Sequence, residues 1–273
     1  MDTEKAKKEL LEKSEYGFDD LVAIMRVLRA PGGCPWDREQ THASIRRDLL
    51  EETYELIEGI DAGDADMLRE ELGDVLLQVV FHSVIAEQDG EFDIGDVCGD
   101  ICKKLIVRHP HVFGDVTAND SATVLANWDA IKKRTKHQQS DTEVLRSVTK
   151  ALPALMRAQK LGSKSRKWGF DFADYASAAE KIPEELREAL EATDSGDALK
   201  TEEEFGDLLL AVVNAARLAG VDAEQALYKA NEKYIARFSE VEKLCLAEGK
   251  SVKDTPESKK AEFWEEAKRK TAK

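Results

Sequence analysis

The sequence predicts an all-α protein that consists of two related helical bundles produced by internal duplication. Apolar residues recur at helical spacing almost throughout the chain. No segment shows the alternation of apolar and polar residues that is typical of a half-buried strand. Blocks in the first half of the 273 residues return in the second half, in the same order.

Four pairs of matching blocks carry the duplication. The first two pairs are "EETYE" (51–55) with "EELRE" (184–188) and "ELGDVLLQVV" (71–80) with "EFGDLLLAVV" (204–213). The other two are "DIGDVCGDICKKLIVR" (93–108) with "DAEQALYKANEKYIAR" (222–237) and "NWDAIKK" (127–133) with "FWEEAKR" (263–269). This repeat is longer than the ~20–50 residues of solenoid repeats. The sequence therefore predicts globular domains at 18–135 and 146–273, joined by a linker at 136–145.

The helices are placed by their capping residues and apolar spacing. In the first half, helices are predicted to begin after residues of helix-capping type: Asp19, Thr41, Asp64, Asp93 and Ser121. In the second half, they are predicted near 146–161, 174–194, 197–219, 222–247 and 256–271. Pro153 and Pro183 fall near the start of two of these helices, where proline restricts the backbone.

Composition excludes several classes of partner. Asp and Glu outnumber Lys and Arg by 55 to 40, giving a formal net charge of −15. This argues against binding nucleic acid, where positive charge supplies most of the affinity, but not against a nucleotide held through metal ions. No apolar run approaches the ~20 residues that cross a bilayer, so no membrane partner is predicted. The four cysteines form no CxxC pair, which argues against a zinc ribbon, and we expect reduced thiols in a cytoplasmic protein.

Pairs of carboxylates stand three residues apart on consecutive predicted helices. Residues at this spacing lie ~5–6 Å apart on a helix, so two antiparallel helices can present four carboxylates to one place. In the first half these residues are Glu52, Glu55, Glu71 and Asp74. In the second half they are Glu185, Glu188, Glu204 and Asp207.

Two interpretations of the carboxylates are open. A solvated acidic face is ordinary for an amphipathic helix and suits the neighbouring Glu58, Glu70, Glu191 and Glu202. A metal site is favoured by Glu71 and Asp74, which begin a mostly apolar run, because partly buried like charges repel unless a cation pairs with them. Oxygen ligands suit Mg²⁺, with Mn²⁺ as an alternative. A di-iron bundle needs a His three residues after its Glu, which these pairs lack.

Basic and aromatic residues recur at matching places in the two halves. The pairs Lys104–Arg108 and Lys233–Arg237 are each four residues apart, so each pair shares one helix face. They are either surface charges or partners of a triphosphate. Trp128 and Trp264 also match, and each either stacks on a nucleobase or docks its helix onto the domain.

The combined motifs resemble the all-α nucleoside triphosphate pyrophosphohydrolases, and among them the tandem-domain MazG family. The resemblance rests on the EExxE…ExxD pattern with "GCPWDREQTH", "LLEETYELIEGID", "ELGDVLLQVVFHS" and "RHPHVFGD", and it spans residue 18 to the C-terminus. It implies a helical-bundle fold, dimerisation, and Mg²⁺-dependent cleavage of a nucleoside triphosphate to the monophosphate and pyrophosphate. It further implies that the second-half carboxylates are metal ligands and that nucleotide is held by Lys181, Lys233, Arg237 and Trp264.

The internal repeat extends these roles to the first half. There the metal ligands would be Glu52, Glu55, Glu71 and Asp74, and the nucleotide would be held by Lys104, Arg108 and Trp128. Asp48 stands where the second half has Lys181, so the first site is expected to hold phosphate less well. Pro183 directly precedes the second "EE" element, which raises the expectation of a late or kinked helix.

The predicted reaction is metal-assisted hydrolysis. The attacking water would be activated by a carboxylate, such as Glu51 or Glu184, or by the metal alone, and the sequence does not decide between them. Two competing hypotheses are a non-catalytic nucleotide sensor and a helical scaffold for a protein partner. The two complete carboxylate sets argue against a degenerate sensor, and a scaffold would show no saturable binding of divalent cations.

Overall fold

The fold is helical in both halves of the chain. The computed structural model describes residues 3–116, 120, 123–124, 128, 131 and 140–271, and every regular element among them is a helix. The predicted all-α class is therefore confirmed. The helix predicted after Ser121 falls largely outside the described residues, as do residues 136–139 of the predicted linker.

The chain divides into two compact units, Met1–Lys132 and Lys133–Lys273. The first unit contains α1 (Thr3–Leu11), α2 (Phe18–Arg29), α3 (Pro35–Glu39), α4 (Arg46–Ala62), α5 (Ala65–Asp89), α6 (Ile94–Arg108) and α7 (Pro110–Phe113). The second contains α8 (Asp141–Arg146), α9 (Ala154–Ser165), α10 (Tyr175–Ala179), α11 (Lys181–Ser195), α12 (Ala198–Leu218), α13 (Ala223–Ala247) and α14 (Glu257–Thr271). A 3₁₀ turn, Arg166–Trp168, follows α9.

Capping side chains set the helix starts in the first unit, though not always where expected. The Asp64 carboxylate accepts hydrogen bonds from two backbone N–H groups of α5, and Asp93 accepts one from α6, as predicted. Helix α2 begins at Phe18, because Asp20 accepts the N–H of Gly17 at 2.9 Å. The start predicted after Thr41 is wrong, because Ser44 and Thr41 bond each other in a turn and α4 begins only at Arg46.

Proline divides the predicted helix at 146–161. Helix α8 ends at Arg146, Pro153 lies in extended conformation, and α9 begins directly after it. Residues 141–145 of α8 lie within the predicted linker, 136–145. Pro183 does not delay the helix as expected. It lies in the first turn of α11, where no N–H is needed, and the helix begins at Lys181.

The first unit packs α2 and α5 together around one apolar cluster. Its buried members are Val22, Met25, Ile45, Val80, Phe81, Val84 and Ile85. The buried Arg29 fastens the segment before α4 to this core. Its Nε donates to Gln88 Oε1 at 2.9 Å, and Nη1 donates to the backbone carbonyls of Asp37 and Gln40.

In the second unit, a buried ion pair fastens the corresponding segment. Arg217 on α12 donates from Nη1 and Nη2 to the two carboxylate oxygens of Asp171, at 3.0 and 2.5 Å. The side chains are only 6% and 10% exposed. A second apolar cluster joins α13 to α14 through Val241, Cys245, Phe263 and Ala267.

No helix among the described residues is long and apolar enough to cross a membrane. The four cysteines are free thiols, and only Cys245 is fully buried.

Removal of Asp171 should destabilise the second unit strongly. Asp171→Ala leaves the buried Arg217 guanidinium without its counter-charge, which costs about 3 kcal/mol or more of unfolding free energy. The Arg217 guanidinium lowers the pKa of Asp171, so the pair's contribution is present above the unfolded-state pKa of an aspartate and is lost as the pH falls through the lowered value. Urea unfolding of wild type and variant, at neutral and acidic pH, measures both effects.

The matched control is the exposed pair Arg187–Glu191 in the same unit, at 3.8 Å and with side chains 66% and 72% exposed. Glu191→Ala should change the unfolding free energy by less than ~0.5 kcal/mol. If Asp171→Ala and Glu191→Ala lower the free energy of unfolding equally, the buried pair stabilises the unit no more than the exposed pair does.

Candidate functional site

In the first unit, a tight turn brings three carboxylates together. Gly63, at φ 66°, ends α4 in the left-handed conformation, and Asp64 immediately caps α5, so the two helices pack side by side. Glu52, Glu55 and Glu71 each offer a carboxylate oxygen that lies within 4.8 Å of the other two. We call these three residues the first triad.

The second unit builds the same arrangement from the same kind of turn. Gly196, at φ 74°, ends α11, and Asp197 caps α12 by accepting two backbone N–H groups. Glu185, Glu188 and Glu204 form the second triad, whose oxygens again lie within 4.8 Å of one another. The structure thus brings together six of the eight predicted metal ligands, three in each unit.

The remaining two predicted ligands lie beside the triads. The negative charge of Asp74 helps to raise the pKa of both Glu52 and Glu71, and that of Asp207 helps to raise the pKa of Glu204. Within the part of the chain that the structure describes, neither aspartate belongs to a group whose oxygens lie within the 4.8 Å spacing. Their role as ligands stays a prediction.

Burial and mutual repulsion perturb the triads. Partial burial raises the pKa of Glu52 and Glu71, and the neighbouring carboxylates raise it further. Burial also raises the pKa of Glu204, and the negative charge of Glu188 raises it further. Glu71 Oε2 is buried without a hydrogen-bond partner. Oxygen atoms with these properties, gathered in one place, suit a divalent cation.

The acidic residues outside the triads behave as ordinary surface charge. Glu58, Glu70, Glu191 and Glu202 are all exposed, as predicted for a solvated helix face.

The two predicted bases differ from each other. Glu51 is exposed, whereas Glu184 accepts a hydrogen bond from Lys181 Nζ at 2.8 Å, which lowers the pKa of Glu184.

Lys181 lies at the edge of the second triad. Its Nζ is 2.8 Å from Glu184 and 3.7 Å from Glu185, and the bond to Glu184 raises the pKa of the lysine. The first unit has Asp48 on α4 at the matching place, so only the second triad has a lysine there.

The other residues predicted to contact the nucleotide form no described bond to the triad carboxylates. Within the described ranges, no ion pair or hydrogen bond connects Lys104, Arg108, Lys233 or Arg237 to either triad. The Arg108 guanidinium lies 5.4 Å from the centre of the Trp128 ring, a cation–π contact. Arg237 Nε donates to Thr271 Oγ1 at 3.2 Å.

Trp264 makes the contacts expected of a helix anchor. It is partly buried against the cluster that joins α13 to α14, and its ring lies 5.4 Å from that of Tyr234. These contacts are those expected if Trp264 docks α14 onto the second unit. A contact between Trp264 and a nucleotide stays a prediction.

Sequence reasoning missed a row of polar side chains that continues from the first triad along α5. Gln78 is 7% exposed and its Oε1 has no partner, while His82 Nε2 is also buried and unpaired. His82 Nδ1 lies 2.8 Å from His42 Nδ1, and the two rings stack. The second unit has Ala211 and Ala215 at the positions of Gln78 and His82. The repeat could have revealed this difference, because it aligns the two helices residue by residue.

Comparison with known proteins identifies the family. The model of the MazG nucleotide pyrophosphohydrolase domain matches the chain twice, at residues 40–113 and 173–241. The chain belongs to the MazG family. The two matches cover both triads, so each matched domain contains one triad.

Relatives of this MazG chain match it over nearly its full length. The nucleoside triphosphate pyrophosphohydrolase of Escherichia coli K12 is 46% identical over 255 residues, covering 92% of this chain and 97% of that protein. The nucleoside triphosphate pyrophosphohydrolase/pyrophosphatase MazG of Thermotoga maritima is 45% identical over 251 residues, covering 92% and 95%. Bacillus subtilis YabN is 45% identical over 254 residues, which make up 52% of its length.

Divalent cations should stabilise the protein more at high pH than at low pH. Carboxyl groups with raised pKa values stabilise the metal-free fold when protonated, and this contribution is lost as the pH rises through the folded-state pKa. Above it, the ionised triads repel, and a cation that binds only the folded state restores stability. We expect Mg²⁺ to raise the melting temperature more at about pH 8 than at about pH 5.

Calorimetry with Mg²⁺ and with EDTA measures this difference. The control is a full chain carrying Glu52→Gln, Glu71→Gln and Glu204→Gln, which removes charge from both triads and should lose most of the Mg²⁺ effect. A rise in melting temperature that is unchanged in this variant would place the stabilising cation elsewhere.

Proposed function

We propose that the chain is a nucleoside triphosphate pyrophosphohydrolase that requires Mg²⁺, with Mn²⁺ as an alternative ion, and releases the monophosphate and pyrophosphate. The observation that carries the proposal is the duplicated carboxylate triad with raised pKa values and an unpartnered buried oxygen. The names of the Escherichia coli and Thermotoga maritima relatives support the same reaction.

The chain's own residues divide into ligands and substrate partners. The proposed metal ligands are Glu52, Glu55, Glu71 and Asp74 in the first unit and Glu185, Glu188, Glu204 and Asp207 in the second. A bound divalent cation would neutralise charge on the phosphates and make a water molecule more acidic. Lys181 carries a positive charge at the edge of the second triad, where it would exchange Glu184 for a phosphate oxygen when substrate binds.

The proton from the attacking water needs an acceptor. The hydrogen bond from Lys181 lowers the pKa of Glu184 and so lowers its basicity. If Lys181 turned to the substrate, Glu184 would recover basicity, which couples phosphate binding to proton acceptance. Glu51 is the matching candidate in the first unit, without a lysine partner at position 48.

The remaining nucleotide contacts are proposed from the repeat. Lys233, Arg237 and Trp264 in the second unit, and Lys104, Arg108 and Trp128 in the first, would contact phosphate or base. Lys104 and Lys233 are exposed and form no ion pair with a triad, so their charges remain available to a substrate. A triphosphate needs such cationic partners in addition to its metal ions.

A homodimer is supported by exposed apolar rows on the helices that carry the triads. On α12, Phe205, Leu209 and Val212 share one face and are 43–55% exposed. On α5, Leu72, Leu76 and Val79 share one face and are 39–51% exposed. Such rows usually meet another surface. A monomeric mass in sedimentation equilibrium would contradict the dimer.

A cytoplasmic location is likewise proposed, from the free thiols.

The reaction products test the proposal directly. Purified protein with Mg²⁺ and a nucleoside triphosphate should release one pyrophosphate for each monophosphate, and EDTA should stop the reaction because the triads alone cannot neutralise the phosphates. Ion-exchange chromatography of the products provides the measurement. Release of orthophosphate and the diphosphate would exclude the proposed reaction.

The second site should carry at least half of the activity, because Lys181 adds a positive charge where the first unit has Asp48. Glu185→Ala with Glu188→Ala should abolish that share, since loss of two ligands weakens metal binding. The measurement is steady-state kcat/KM of this double variant and of the first-site double variant, Glu52→Ala with Glu55→Ala. The variant that loses more activity identifies the more active site. Glu191→Ala and Glu58→Ala are the controls, because both residues are exposed and lie outside the triads on the same helices. If the first-site pair is the more damaging, the ranking is wrong.

A further inference from the structure

Two histidines stand at the turn that joins α6 to α7 in the first unit. His109 ends α6, Pro110 begins α7, and His111 follows. The centres of the two imidazole rings are 5.6 Å apart, and the ring planes are tilted by 53°. Both residues are partly buried, and neither belongs to a triad. The reaction proposed above uses neither of them.

Backbone hydrogen bonds hold this turn closed. The N–H groups of Val112 and Phe113 both donate to the His109 carbonyl, at 2.9 and 3.0 Å. The N–H of Val116 donates to the Pro110 carbonyl at 3.3 Å. The proline ring also restricts the backbone between the two histidines. The backbone therefore holds both histidines in place before any ligand binds.

Hydrogen bonding leaves nitrogen atoms of both rings available. His109 Nδ1 lies 2.6 Å from the carbonyl oxygen of Leu105, which can only accept. Nδ1 therefore carries the proton, and in the neutral ring Nε2 keeps a lone pair. His111 Nδ1 is buried and has no hydrogen-bond partner among the described residues, which is costly for a polar atom. A histidine that binds a metal commonly donates its other N–H to a backbone carbonyl, as His109 does.

The separation of the rings suits two imidazoles on one ion. Zinc binds histidine nitrogen at ~2.0–2.1 Å with tetrahedral geometry, which places the centres of two bound rings about 5–5.5 Å apart. The 5.6 Å between the rings of His109 and His111 is close to this separation. Because the ring planes are tilted, nitrogen lone pairs of the two rings can point to one place.

The other histidine pair of the first unit has a different geometry. The rings of His42 and His82 are within 5° of parallel, and their Nδ1 atoms lie 2.8 Å apart. This is the spacing of a hydrogen bond, so a proton and not a metal ion fits between these nitrogens. The pair is therefore a matched control for the pair at 109 and 111.

The surroundings of His109 favour a cation. His109 is the C-terminal cap of α6, and the helix dipole stabilises positive charge at this end. The guanidinium of the preceding residue, Arg108, lies against the Trp128 ring, 5.4 Å from its centre. Imidazole nitrogen suits Zn²⁺, Ni²⁺ and Cu²⁺, whereas Mg²⁺ prefers oxygen. The ion that fits here thus differs from the ion that fits the triads.

The second unit has no equivalent of this pair. The repeat aligns His109 with Phe238 and His111 with Glu240, and the sequence contains no histidine after position 137. A site of this kind would therefore occur once in each chain.

We propose that His109 and His111 form a binding site for Zn²⁺ or another late first-row divalent cation, separate from both triads. His109 Nε2 and a nitrogen of His111 are the protein ligands, and water completes the coordination. The proposal does not depend on the reaction at the triads, because it concerns other residues and another class of ion.

The test measures Zn²⁺ binding to the full chain by calorimetry, with Mg²⁺ in excess to compete at the carboxylates. We expect wild type to bind a single Zn²⁺ at this site. His109→Ala with His111→Ala should weaken this binding at least roughly tenfold, because both nitrogen ligands are lost. With Cu²⁺ as the probe, the EPR spectrum of wild type should show splitting from nitrogen ligands, and the double variant should lose it.

Two control variants keep both histidines of the proposed site. His42→Ala removes an imidazole from the other pair and should leave Zn²⁺ binding within about twofold of wild type. The chain carrying Glu52→Gln, Glu71→Gln and Glu204→Gln should also bind this Zn²⁺ as wild type does. If the double alanine variant has a lowered melting temperature, His111→Phe keeps a ring in place and is read in the same way.

Three results would overturn the proposal. Zn²⁺ binding that is unchanged in a folded variant without the His111 imidazole would show that this histidine is not a ligand. Weaker binding in His42→Ala alone would place the ion at the other pair. Loss of Zn²⁺ binding in the triad variant alone would place it at the carboxylates. Cleavage of nucleoside triphosphates, measured separately, decides the proposed function and not this site.

Discussion

Repulsion between converging carboxylates is the constraint on which each unit depends. A left-handed glycine and an aspartate cap close each helix pair so tightly that three glutamates must meet. Partial burial, and after it the charges of neighbouring carboxylates, raise the pKa values of Glu71 and Glu204, and Glu71 Oε2 has no hydrogen-bond partner. The rest of each unit, including the buried Arg29 contacts and the Arg217–Asp171 pair, holds the helices in place despite it.

Much of this arrangement could be predicted from the sequence, because its determinants are local. The i, i+3 carboxylates, the caps at Asp64 and Asp93 and the duplicated blocks depend on residues that are near one another in the chain. Prediction was wrong where a turn competed with a helix: Ser44 bonds Thr41 and delays α4, and Pro153 separates α8 from α9. Both outcomes depend on hydrogen bonds or backbone limits that apolar spacing does not report.

The features beyond the carboxylates required three-dimensional information. Arg29 on α2 fastens the segment before the first triad, whereas Arg217 on α12 fastens the segment before the second. The same task is performed from different helices, so aligning the repeats does not pair these arginines.

The two units keep the same triad and differ in the residues around it. Both triads have three glutamates at the same sequence spacing, and in each the oxygens lie within 4.8 Å of one another. The second unit has Lys181 beside its triad where the first has Asp48, and it has Ala211 and Ala215 where the first has Gln78 and His82. A lysine lowers the negative charge around three carboxylates, whereas an aspartate adds to it, so we expect an anionic substrate to approach the second triad more readily than the first.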